Sequence, residues 1–113
     1  MKLIVLYKQP ADPAAFDRAY FNTHWPLVAK VPGLQRASVT RFTRSLSGEA
    51  FYMMAELYFA DKDALKTAMK SPEMAAAGKN LNSFADGLAS MLYGEEEPVS
   101  SLSAGATISA NTR

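Results

Sequence analysis

One histidine, His24, stands in a chain of 113 residues that contains no cysteine. It is the one side chain whose unperturbed pKa lies near neutrality, so proton transfer at neutral pH falls first to it. Tyr20 lies four residues earlier, and Tyr7 closes an aliphatic run near the start of the chain. Either phenol could offer its hydroxyl to a ligand carbonyl or to an enolate. Trp25 follows His24 directly and suits the wall of a pocket. Glu56 is a carboxylate among apolar neighbours, where the ionised form is costly unless paired.

Each of these residues also has a plainer structural use. His24 can bond a freed carbonyl at a helix break, the tyrosines can pack as core rings, and Trp25 can plug the break. Glu56 reads as a general base with a raised pKa, or as a carboxylate at an interface between two copies. The interface role, with Arg36 or Arg41 as partner, fits its strand position better.

The same counts exclude whole classes of function. Without cysteine there are no disulfides, thiolate nucleophiles or cysteine-ligated metals. A single histidine rules out a multi-histidine site within one chain, so neither metal nor cofactor is expected. His24 would be the axial ligand if haem were bound, but nothing else in the chain points to haem. Twelve basic against eleven acidic residues leave a net charge of +1, too little to attract nucleic acid or an anionic membrane. No apolar run approaches the roughly 20 residues of a membrane span, and Leu3 to Tyr7 is too short for a signal-peptide core. The expectation is a cytoplasmic protein of one domain over residues 1–98. A serine- and alanine-rich tail follows over 99–113.

Those side chains need elements to position them. Lys2 to Lys8 reads as a strand, and Asp12-Pro13 as a capped helix start. Phe16, Tyr20 and His24 then share one helical stripe. Pro26 lacks the amide that would bond back to Asn22, and it biases Trp25 away from helical angles. A bend or break at His24–Trp25 is expected. Leu34 to Leu46 and Ala50 to Ala60 read as a hairpin around Ser47-Gly48. Asp61 and Ser71-Pro72 start further helix, and Gly87 to Tyr93 is the last strand.

The order βαββαβ predicts an α+β, ferredoxin-like fold, a four-stranded antiparallel sheet with two helices on one face. Its open face should be polar in a monomer. Instead, one parity of the third strand reads Phe51, Met53, Ala55, Leu57, Phe59 and the other Tyr52, Met54, Glu56, Tyr58. A sheet apolar on both faces needs cover on both, and a second copy is the simplest cover. The homodimer is therefore the expected state. The third strand has no glycine, lysine or arginine, which excludes the RNA-recognition module of the same topology.

Several of these segments have a familiar look. Tyr7-Lys8-Gln9-Pro10, Phe16, Tyr20, His24-Trp25-Pro26-Leu27 and Pro32-Gly33-Leu34 resemble the N-terminal half of the EthD family. Ala55-Glu56-Leu57-Tyr58-Phe59 and Asp61 to Met69 resemble its third strand and second helix, so the likeness runs from about Met1 to Tyr93. It implies a dimeric α+β barrel, and it aligns the family's histidine with His24. The wider barrel group holds lactone isomerases, polyketide cyclases and dehydratases, monooxygenases and proteins without established activity, and fold alone does not choose among them. Two functions are carried forward. One is cofactor-independent acid/base chemistry by His24 on a small, largely apolar carbonyl, lactone or polyketide-like compound, with Tyr7, Tyr20, Trp25 and Glu56 contacting substrate. The other is a non-catalytic binding or accessory protein of a degradation pathway.

Overall fold

Three oxygen caps start the helices. Asp12 Oδ1 accepts from the Ala15 amide at 3.1 Å, Asp61 Oδ1 from Ala64 at 2.8 Å, and Ser71 Oγ from Met74 at 3.1 Å. Pro13 and Pro72 occupy first-turn positions, where a missing amide costs nothing. In the computed structural model, which describes residues 1–99, these caps open α1 (Pro13–Ala19), α3 (Lys62–Met69) and α4 (Pro72–Ala85). The strands are β1 (Lys2–Lys8), β2 (Arg36–Arg41), β3 (Phe51–Tyr58) and β4 (Ala89–Gly94), hydrogen-bonded in the order β2-β3-β1-β4 with every pairing antiparallel. This is the ferredoxin-like α+β fold. The tail expected beyond Val99 lies outside the described residues.

The first helical passage does not break at Pro26. A π-helical turn over Tyr20–His24 carries α1 into a short α2 (Trp25–Val28), with the Trp25 amide donating to the Tyr20 carbonyl. Trp25 keeps helical angles, φ −58° and ψ −43°, contrary to the bias expected of a residue before proline. The wider turn supplies the reason. It admits one extra residue, which relieves the clash of the Pro26 ring with the preceding turn while the chain continues. Gly33, at φ +80°, then turns the chain back towards β2.

One face of the sheet is dry. Leu3, Val5 and Tyr7 of β1 and Met53, Ala55 and Leu57 of β3 pack against Phe16, Tyr20, Leu65, Ala68, Ala77 and Leu81 from the helices. Each large side chain so buried contributes about 1.5–3 kcal/mol. The other face carries Ile4, Leu6, Met54 and Leu92 around a polar centre. There Lys2 Nζ lies 2.8 Å from Glu56 Oε2, and the Tyr58 and Ser38 hydroxyls reach the same carboxylate at 3.4 and 3.5 Å. Arg36 stacks on the Tyr58 ring at 3.8 Å. Glu56 therefore takes Lys2 as its partner, and neither Arg36 nor Arg41.

Strict alternation puts Tyr52 on that open face with Met54 and Glu56. The pairing differs. Tyr7 faces Met53 and Lys8 faces Phe51, so Tyr52 is the extra residue of a β-bulge. The bulge turns its ring under the helices, against Phe16 at 5.6 Å between centroids. Its hydroxyl donates to Asp17 Oδ1 at 2.8 Å and accepts from Arg41 Nη1 at 2.8 Å, while Arg41 also pairs with Asp17 at 3.2 Å. This cluster ties the β2–β3 hairpin to α1. Tyr52→Phe is expected to lower unfolding free energy by about 1 kcal/mol, read as a lower urea midpoint at unchanged slope.

Candidate functional site

The aromatic stripe of the first helical passage forms one wall of a cavity. Phe16 and Tyr20 stack at 5.9 Å, Tyr20 and His24 follow at 5.3 Å, and Tyr7 meets both Phe16 and Tyr20 edge-on from β1 at 5.5 Å. Leu3, Val5, Ala55 and Leu57 of the sheet and Ala77 and Leu81 of α4 complete the floor. Trp25, Met74, Gly78 and Met91 also line the cavity but keep partial exposure, which makes them its rim. Met91, 52% exposed on the edge strand β4, marks the side open to solvent.

The enclosed volume is about 40 Å³, room for roughly three waters. Anything larger must displace Met74 and Met91, unbranched side chains well suited to giving way. Gly78 adds to the opening. A glycine inside a helix costs about 1 kcal/mol relative to alanine, yet a Cβ at this position would meet nothing within 4 Å. No protein neighbour requires the glycine. The space it leaves belongs to the cavity rim.

His24 is 5% exposed, and its Nδ1 lies 3.2 Å from Asn80 Oδ1 on α4. Burial pushes the imidazole pKa below its usual 6.5, and the Asn80 bond opposes the shift without cancelling it. Burial also raises the phenols, Tyr20 to about 12 and Tyr7, which sits beside Tyr20, further still. Both tyrosines hold their protons at neutral pH. No aspartate, glutamate, lysine or arginine lines the cavity. It is an uncharged chamber with one imidazole and two hydroxyls.

The structure thus brings His24, Tyr20, Tyr7 and Trp25 together and leaves Glu56 apart. Glu56 lies on the opposite face of the sheet, and its lysine partner holds its pKa below the usual carboxylate range, where a general base would need it raised. Asn80 escaped sequence reasoning. It stands 56 positions from His24, and its one signal is a place one turn before Phe84, whose ring packs on both Phe16 and His24. Among the described residues no cluster of histidine, aspartate and glutamate could hold a metal ion.

The buried imidazole links stability to pH. Its folded-state pKa lies below the unfolded value near 6.5, so protons bind the unfolded chain more tightly. The stabilisation is complete above pH 6.5 and is lost as pH falls through the lower, folded pKa. Urea midpoints are expected to drop from pH 7 to pH 5 in the native protein. A His24→Asn variant should lack that component of the drop.

Comparison with known proteins places this architecture. The family model for the EthD domain matches residues 8–88. A crystal structure of an EthD-family protein from Bacillus halodurans C-125 superposes with a TM-score of 0.81 at 48% identity, over 85% of this chain and 97% of that one. An uncharacterised 11.0 kDa protein from the thcB–thcC intergenic region of Rhodococcus erythropolis is 38% identical over 100 residues, 87% of this chain and 96% of that protein. SnoaB, a cofactor-independent oxygenase from Streptomyces nogalater, shares the fold with a TM-score of 0.58 at 17% identity, over 85% of this chain and 93% of its own. The chain belongs to the EthD family.

Proposed function

We propose that the cavity beside His24 binds a small, largely apolar carbonyl, lactone or polyketide-like compound and that His24 performs acid/base chemistry on it without a cofactor. One observation carries the reading. A buried imidazole spends one nitrogen on Asn80, and the remainder of the ring borders an apolar chamber with two protonated phenols. Tyr7 and Tyr20 would donate to a ligand oxygen as negative charge develops there. Trp25 and the two rim methionines would enclose the apolar body. The fold is compatible with such chemistry, since the distant SnoaB is a cofactor-independent oxygenase. The second reading is a binding or accessory protein of a degradation pathway that uses the same chamber without turnover.

Trp25 supplies a built-in probe, because it is the single tryptophan and it sits on the rim. Titration with small apolar lactones and ketones is expected to change its emission saturably. His24→Ala should abolish turnover while the fold persists. In the accessory reading it should weaken binding by about tenfold, the loss of one buried hydrogen bond, and there is no turnover to lose. No emission change with any such compound would remove the site.

The open sheet face supports a second part of the proposal, a homodimer. Ile4, Leu6, Met54 and Leu92 surround an ion pair in which Lys2 and Glu56 are already only 15% and 16% exposed. A second sheet laid on this face would bury both the apolar ring and the pair, and Glu56 would then be an interface residue. No helix among the described residues is long and apolar enough to cross a membrane, and we place the protein in the cytoplasm. Sedimentation equilibrium at micromolar concentration is expected to give a dimer. Met54→Glu should shift it to monomer.

A further inference from the structure

We infer that Asn80 fixes His24 as a proton acceptor, and that the ligand of this cavity is a neutral phenol or enol that presents its hydroxyl to His24 Nε2. The inference rests on the binding-site reading above and narrows it to one class of compound and one direction of proton transfer.

The atoms set the direction. Asn80 Oδ1, 3.2 Å from the ring, can only accept a hydrogen bond, so Nδ1 must carry the proton and donate. In neutral imidazole the other nitrogen then holds the lone pair. Nothing else around the ring can reverse this assignment. Tyr20 on the same helical passage and Tyr7 on β1 are the only other titratable groups in the lining, and both stay protonated. From α4 the ring meets Asn80 and the Phe84 edge.

Charge sets the ligand class. A carboxylate entering the chamber would find no cation, and an ammonium would find no anion, so either would be desolvated without compensation. A ketone or ether gives Nε2 nothing to accept. A hydroxyl does. Once it is bound, its O–H bond can break and an N–H bond form at Nε2, leaving the electron pair on the ligand oxygen. The products are an enolate or phenolate beside an imidazolium, with the charges adjacent. Delocalisation into the ring or double bond makes this feasible for a phenol or enol and not for a simple alcohol. Asn80 stays bonded to Nδ1–H throughout, so it is a positioning residue. Because the chamber holds only a few atoms, the hydroxyl end enters and the apolar remainder lies among Trp25, Met74, Gly78 and Met91.

The single histidine makes the test clean, since a long-range ¹H–¹⁵N spectrum of the full chain contains one imidazole. The free protein is expected to show Nδ1–H with Nε2 unprotonated. Calorimetry with 4-ethylphenol, 4-ethylanisole and 4-ethylbenzoate should give binding of the phenol at least tenfold tighter than of the ether or the carboxylate. Asn80→Leu should release the tautomer and reduce the preference for phenol over anisole below threefold, with the affinity for anisole unchanged. Asn80→Asp keeps the acceptor, so it should retain tautomer and preference while moving the His24 titration to higher pH. An Nε2–H tautomer in the free protein, or equal binding of phenol and anisole, would overturn the inference and leave the pocket standing. Failure of all three probes to bind a folded protein would remove the pocket itself.

Discussion

Everything in the site hangs on a column of rings. Phe16, Tyr20 and His24 stack along the first helical passage, and Tyr7 wedges against the column from the sheet. Aromatic pairs at these separations add about 0.5–1.5 kcal/mol each beyond area burial, and they also fix orientation. His24 cannot swing away without unstacking from Tyr20 and Phe84 and releasing Asn80. An imidazole held this way has a set direction for its nitrogens, which a histidine on a loop would lack.

The two faces of the sheet divide the labour. The helix-side face tolerates one polar ring and two phenols because each is either partnered or placed at the chamber, and it excludes charge. The opposite face concentrates charge instead, in the Lys2–Glu56 pair and its hydroxyl neighbours. Alternation along β1 and β3 keeps the two chemistries a few ångströms apart without mixing them. Glu56 thereby leaves the electrostatics of the His24 chamber nearly untouched, although both lie close to the centre of the same fold.

The fold was largely legible in the sequence because its signals are local. Asp12-Pro13, Asp61 and Ser71-Pro72 announce helix starts through cap chemistry, and the strands through short apolar runs. Tyr7, Tyr20, His24 and Trp25 could be grouped for the same reason, as neighbours on one stripe or at the end of a strand. What stayed hidden depends on long-range register. The bulge that carries Tyr52 across the sheet has no residue marker, since nothing in Phe51-Tyr52-Met53 departs from ordinary alternation. Lys2 as the partner of Glu56 follows from the β1–β3 pairing, where Ile4 is directly opposite Glu56 and Lys2 reaches it from the next position on that face. Asn80 is an unremarkable polar residue until α4 is laid against the π-turn.

That turn also fixes how this stretch of chain can vary. Phe21, Asn22 and Thr23 are exposed, so their side chains are free to change. Their number is not. Deleting one of them would close the π-turn into an ordinary helical turn, rotating everything beyond it by about 100° and returning the Pro26 ring to its clash. His24 would leave the column and face a different neighbour. Descendants of this sequence can therefore rewrite the outer surface of the first helical passage letter by letter, while the count of residues between Asp12 and Pro26 must be inherited intact.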